Sequence, residues 1–346
     1  MAKINVRSPY YIYDTVSNLT TDRIDIYIYT GTQTTSRPSS ATYTLTSNAI
    51  DDKVTFEISE LIKDYFSNNF DGDYASDFFW VDYEIFRSVS GGSEVSQGVV
   101  QLRGIYGYGF YEDGVNPQND SGLLQTNNKI VKLDDAPAVI PVDTSKTTQV
   151  TYELNGEQIY TKAITSSAEN DEQIEYVTNG VNGADEFEDR VLQDGGTFED
   201  SVCLQEFVDD FTLFDFDTIY VDTDSGVIKL TVENVEECKH QPYKVTFINK
   251  FGALQDIWFF KRTNEVLSTK KEEFKRNIAI DGTYNISKHQ NKILTKNGSE
   301  KLTLNTGFYP EAYNEVFKQM QLSEDCWIEV NSQTLPINIS GSSFNY

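Results

Sequence analysis

The stretch Arg23-Ile24-Asp25-Ile26-Tyr27-Ile28-Tyr29 decides the fold class. Ile24, Ile26 and Ile28 alternate with Asp25, Tyr27 and Tyr29, and strict alternation fits the two-residue period of a strand, not the 3.6-residue period of a helix. The isoleucines form one apolar row and the tyrosines give the opposite pleat face a second. Both residue types suit a half-buried pleated surface.

Working outward, Thr42 to Thr46 and Val54 to Ile58 repeat the pattern, with Val54, Phe56 and Ile58 pointing one way. Ser59 offers an N-cap for a short helical stretch in which Leu61, Ile62, Tyr65 and Phe66 fall at helical spacing. Phe79 to Phe86 and Val99 to Tyr106 add two strands joined by Ser90-Gly91-Gly92-Ser93. Strands at this spacing predict a β-sandwich over residues 1–111. A polar segment with Pro117, over 112–128, reads as a linker.

Further strands are expected at Lys129 to Leu133, Ala138 to Val142, Gln149 to Leu154 and Glu157 to Ile164, the last two joined by the hairpin signal Asn155-Gly156. Others fall at Phe211 to Val221, Val227 to Val232, Tyr243 to Asn249 and Asp256 to Arg262. Together they predict an acidic β-rich domain over 129–277, with a loop at 165–202 rich in Asp, Glu, Asn and Gly. Residues 278–346 read as a small α+β module. It has strands near Tyr284 to Ser287, Glu300 to Asn305, Cys326 to Val330 and Leu335 to Ile339, and a helix starting at Pro310 with Tyr313, Val316, Phe317 and Met320 on one face. The expected architecture is mainly β, two or three β-sandwich-like modules with one or two short helices. A content of 21 Tyr and 21 Phe against 2 Met agrees with that bias.

Charge is unevenly divided. Of a net −26, residues 1–109 carry −6 (14 acids, 8 bases), residues 110–237 carry −23 (29 acids, 6 bases) and residues 238–346 carry +3 (11 acids, 14 bases). Such asymmetry suits either electrostatic complementarity between copies or partners or acid-rich loops that keep the protein soluble, and it disfavours direct nucleic-acid binding. The opening residues lack the apolar run of a signal peptide, and no stretch is long enough to span a bilayer, so folding in a cytoplasm is expected.

Chemistry-bearing motifs are sparse. His240 and His289 are the two histidines, both in polar contexts without a nucleophile elbow beside them. Cys203, Cys238 and Cys326 are far apart and fit neither a zinc site nor a disulfide framework. Asp71-Gly72-Asp73 with Asp77, and Asp222-Thr223-Asp224, could share a Ca²⁺ but lack the distal Glu of an EF-hand, and Asp and Gly are ordinary turn residues. No catalytic residue, metal or cofactor is therefore assigned. Aromatic runs are the better signal: Tyr10, Tyr11 and Tyr13, then Tyr106 and Tyr108, and the clusters around Trp80 and Trp258, are too aromatic for segments that meet only water. The candidate interface residues are Tyr10, Tyr11, Tyr13, Tyr106, Tyr108 and Trp258, with Glu186, Glu188 and Asp189 in the acidic loop. Exposed aromatics would equally serve a glycan-binding adhesion module, with Trp80 or Trp258 stacking on sugars.

The run Tyr243-Lys244-Val245-Thr246-Phe247-Ile248-Asn249-Lys250-Phe251-Gly252-Ala253-Leu254-Gln255-Asp256-Ile257-Trp258-Phe259-Phe260 resembles segments of virion structural proteins of tailed phages, particularly those infecting Bacteroidetes-type hosts. Asn305 to Tyr313 and Leu322 to Val330 are similar to segments of the same group. Together they cover roughly the last 110 residues. The resemblance implies a tail, baseplate or neck component in a virion, made in a host cytoplasm and assembling with itself into a symmetric ring and with other virion proteins. It transfers no functional residue.

Overall fold

A computed structural model describes residues 2–33, 35–118, 121–134, 136–165, 174–178, 216–275, 283 and 285–341. The fold is mainly β. Its first strands are β1 (Lys3–Asn5), β2 (Tyr11–Thr15), β3 (Leu19–Tyr29), β4 (Tyr43–Asn48) and β5 (Lys53–Glu57). After the helix α1 (Ser59–Lys63) follow β6 (Phe78–Val89) and β7 (Val95–Ile105). The order β1-β7-β6-β3-β4 forms one sheet, and β2 pairs with β5 in a second. Ile24, Ile26 and Ile28 of β3 meet Ile12, Val54 and Phe56 of the small sheet in one buried cluster. Each such side chain stabilises the fold by roughly 1.5–3 kcal/mol through apolar area removed from water. Ser59 starts α1 but does not cap it: its hydroxyl donates to the Glu57 carboxylate, and Ile58 holds the cap position.

The segment expected as a linker, 112–128, packs at Asn116 and over 122–127, while 112–115 are exposed and 119–120 lie outside the described residues. Asn116 sits at a φ of 49°, where Asn is tolerated. Its amide donates to the carbonyls of Asn5 and Ser8 at 3.0 and 3.1 Å, while its Oδ1 accepts the Asn5 N–H at 2.9 Å. Leu123, Leu124, Gln125 and Asn127 are buried. The polar composition that suggested a flexible connector supplies internal hydrogen bonds instead.

A second sandwich contains β8 (Lys129–Leu133), β9 (Val139–Asp143), β10 (Thr147–Leu154), β11 (Glu157–Ala163), β12 (Ile174–Thr178), β13 (Thr218–Thr223) and β14 (Gly226–Val235). One sheet has the order β11-β10-β13-β14-β8 and the other pairs β12 with β9, around Ile140, Val142, Val150, Tyr152, Val177 and Ile219. Asn155 and Gly156 both take positive φ, 53° and 84°, as a two-residue hairpin of the primed type requires. β12 lies inside the segment expected to be a loop, 165–202; the rest of that segment outside 165 and 174–178 is beyond the described residues. So are residues 211–215 of the strand expected from Phe211.

The expected boundary at 277/278 does not hold for the next sheet. β15 (Tyr243–Ile248) and β16 (Leu254–Phe259) precede the long strands β17 (Lys261–Lys275) and β18 (Asn291–Asn305). After these come the helix α2 (Asn314–Leu322), β19 (Cys326–Val330) and β20 (Gln333–Ile337), and the sheet order is β16-β15-β19-β20. Val245 pairs with Ile328 across the sequence gap. Ile248, Leu254 and Trp327 belong to the same cluster as Ile24 and Val81, so this sheet shares the N-terminal core. Tyr313, Val316 and Met320 of the helical face are buried, as their spacing predicts.

Two compact units result. The body comprises Met1–Glu236, Lys244–Trp258 and Tyr309–Tyr346; the other unit comprises Glu237–Tyr243 and Phe259–Phe308. In the body, the Lys3 ammonium pairs with the Asp143 carboxylate, which is fully buried and also accepts from the Ser145 hydroxyl and N–H. Glu324 gathers Arg7, Lys63 and the Tyr106 hydroxyl. These two ionic groups join segments more than a hundred residues apart, which explains why the expected modules are not separate.

Candidate assembly interface

The second unit is built around the ribbon β17–β18, whose strands each run fifteen residues, about 50 Å at the rise of a strand. The sequence pattern predicts one strand over Asp256 to Arg262, which the structure divides between the end of β16 and the start of β17, and of β18 it predicts only Glu300 to Asn305. Tyr284 to Ser287 was expected as a strand, but residues 286–287 form a turn. The signal that could have found the ribbon is the run of Thr, Val, Leu, Ile and Phe among lysines on both sides of 276–290. It has no clean alternation because neither face is a core face.

The antiparallel register aligns Glu265 with Leu302, Leu267 with Glu300, Lys271 with Lys296 and Glu273 with Ile293 on one face, and Val266 with Lys301 and Phe274 with Lys292 on the other. A bulge between Glu272 and Glu273 leaves Leu294 without a partner across the ribbon. Both faces are solvent-exposed; Leu267 and Leu294 are 62% and 67% exposed. Lys271 and Lys296 are like charges directly opposite each other, a destabilising cross-strand pair in an isolated ribbon. Lys271 is offset by Glu273, but Lys270, Lys292, Lys296 and Lys301 have no ion pair among the described residues. At the start of the ribbon the Lys261 ammonium donates to Glu237 at 2.7 Å, and the N–H groups of Lys239 and His240 donate to the same carboxylate. Lys261 first, then the two backbone donors, hold the Glu237 carboxyl down to about 2.

Charge separates the units sharply. The ribbon unit has 11 Lys and Arg against 6 Asp and Glu, a net +5, so the body's 17 bases and 48 acids leave it at −31. The mild +3 of the last third is the sum of a basic ribbon unit and acidic sheet segments of the body.

The residues expected at an interface divide. Tyr11 and Tyr13 are 40% and 56% exposed, with ring centroids 6.1 Å apart, and with half-buried Tyr10 they edge a groove of about 200 Å³ that Tyr83, Gln97 and Val100 also line. The Lys53 ammonium sits 4.4 Å from the centroid of the Tyr13 ring. Tyr106 and Tyr108, in contrast, are buried within the chain, with the Arg7 guanidinium over both rings at 5.5 and 4.7 Å. Burial, then the Glu324 hydrogen bond, pushes the Tyr106 hydroxyl far up. Burial alone would raise Glu324 too, but Tyr106, Arg7 and Lys63 outweigh it and keep that carboxyl below its ordinary range. Glycine explains why these tyrosines go inward. A side chain at Gly107 would meet Asn5 Oδ1 at 2.5 Å and the Lys250 carbonyl at 2.8 Å, so the alternation brings backbones close while the rings fill the core.

Trp258 is half-buried, and its carbonyl accepts the Tyr309 hydroxyl at 2.8 Å. Trp80 is buried, its indole N–H donating to the Gly31 carbonyl at 2.8 Å, so it cannot stack on a sugar. Glu186, Glu188 and Asp189 lie outside the described residues, as does Cys203. His240 takes part through its backbone, and His289 is exposed. Among the described residues no three His, Cys, Asp or Glu side chains gather where they could hold a metal ion, and no helix is long and apolar enough to cross a membrane. In comparisons with known proteins, no family model and no curated protein matches the chain.

Proposed function

We propose that this chain is a non-enzymatic structural protein of a virion, a tail, baseplate or neck component that assembles with itself into a ring and with other virion proteins. The observation that supports it is the ribbon. An isolated two-stranded hairpin is marginally stable in water, and this one exposes on both faces apolar side chains and lysines that have no ion pair among the described residues. Partners that cover it remove apolar area from water and neutralise the lysines, so the ribbon gains most from an assembled state. The likeness of the segments around Tyr243 to Phe260 and Leu322 to Val330 to phage virion proteins supplies the context.

The test is to purify particles from cells producing the protein together with its neighbouring genes and to identify the chain by mass spectrometry. Incorporation at a fixed copy number is expected. A chain absent from particles and monomeric in solution by mass photometry would sink the proposal.

The groove edged by Tyr10, Tyr11 and Tyr13 favours a second reading, a glycan-binding face with Tyr11 as its stacking platform. Glycan-array binding lost in Tyr11→Ala, with Trp258→Ala unaffected, would support it.

A further inference from the structure

We infer that the β17–β18 ribbon docks on the acidic body of a second copy of the same chain, a head-to-tail contact between two different surfaces. The inference rests on the assembly reading and commits to the partner. Three occupants compete: another ribbon, a nucleic acid and another copy's body. Ribbon-to-ribbon pairing along the free edges would set +5 against +5 and bring Lys270, Lys292, Lys296 and Lys301 together. The bulge at Glu272/Glu273 further interrupts the straight edge that such pairing needs. A nucleic acid would satisfy the lysines but leave Leu267 and Leu294 exposed, and the −31 body attached to the same ribbon would repel its phosphates. The acidic body of another copy answers the lysines with opposite charge, and a protein surface also covers the leucines.

The geometry of such a contact has a consequence. Two different patches of one chain, joined head to tail, close into a ring when the rotation closes and otherwise extend as a filament. No dedicated partner is required to start it.

The experiment uses the full chain. Wild type and Lys270→Glu/Lys292→Glu/Lys296→Glu/Lys301→Glu are compared by mass photometry and sedimentation at low and high salt. An equal mixture of ¹⁵N-labelled and unlabelled wild type is then treated with a carbodiimide, which joins lysines directly to carboxylates. Expected are oligomers that weaken with salt, an apparent affinity at least about tenfold lower in the quadruple variant, and labelled-to-unlabelled cross-links from ribbon lysines to body Asp and Glu. Circular dichroism and thermal unfolding of the variant confirm that it is folded; because the lysines are exposed, they should match wild type. If the variant does not fold, the cross-links of wild type decide alone. The inference is overturned by a monomer at all concentrations, by oligomers indifferent to the charge reversal, by cross-links confined to single copies or to ribbon pairs, or by ribbon lysines that bind a labelled duplex DNA without self-association. A chain found in particles that does not bind itself would overturn this partner while leaving the virion reading intact. Self-association with absence from particles would do the reverse.

Discussion

Two long antiparallel hairpins in this protein are made of similar residues and have opposite fates. β6 and β7 pair over 78–105 and present Val81 and Leu102 to a core shared by three sheets. β17 and β18 pair over longer strands, and Val266, Leu267, Phe274, Ile293, Leu294 and Leu302 remain exposed. Strand-forming side chains and a register suffice to draw both ribbons. Burial comes from what lies over a face: it reaches Val81 and Leu102, but not Val95, Val99 and Val100 at the far end of the first hairpin, nor the apolar side chains of the second. Charge follows the same division, −31 in the body and +5 in the ribbon unit.

That contrast can be broken most severely at Lys3. Lys3→Met takes the ammonium away from the fully buried Asp143 carboxylate, whose Ser145 donors carry no charge, and should cost about 3–5 kcal/mol in urea unfolding. The matching change in the ribbon, Lys271→Met, removes an exposed pair and should cost less than about 1 kcal/mol. Equal effects would show that the ribbon is covered in the free chain. Next in size, Ile24→Ala opens a cavity and should cost about 2–5 kcal/mol, whereas Leu267→Ala should stay within about 0.5 kcal/mol.

Hydrogen exchange sharpens the comparison without substitutions. Amides of β6 and β7 should exchange only through global opening and those of β17 and β18 through local opening, so the ribbon should exchange orders of magnitude faster in the monomer. The smallest expected effect is a pH dependence in the body. Asp22 is fully buried; burial and then the neighbouring Asp14 carboxylate push it up to about 6, while Asp14, paired with Arg87, lies below its ordinary range. A carboxyl raised by folding favours the folded state when protonated. Its contribution is full below the unfolded value of about 4 and is lost as pH rises through about 6. Asp22→Asn should therefore flatten the stability profile between those values and be more stable than wild type above them. A profile with the same slope in both proteins would place the titration elsewhere.

Much of the fold was legible in alternation and turn chemistry. Ile24, Ile26 and Ile28 lie in a core, Asn155-Gly156 makes its hairpin, and Val316 and Met320 lie on the buried face of α2. The candidate interface was less so. Tyr11 and Tyr13 reach the surface, but Tyr106, Tyr108 and Trp80 turn inward, because whether an aromatic run meets solvent depends on segments distant in sequence: Arg7 and Gly31 here. The ribbon escaped sequence reading for a related reason. Periodicity reports a boundary between core and solvent, and a strand wet on both faces has none.

Strand character and the uneven distribution of charge were thus determined by the sequence by itself, since both are properties of neighbouring residues. Only the tertiary structure decided that Asn116 and residues 122–127 of the polar segment are packed, that strands on either side of the ribbon in sequence share one sheet, and that the positive charge of the last third collects on an exposed ribbon. Those outcomes depend on contacts between residues a hundred or more positions apart, such as Asn5 with Asn116, which no local pattern encodes.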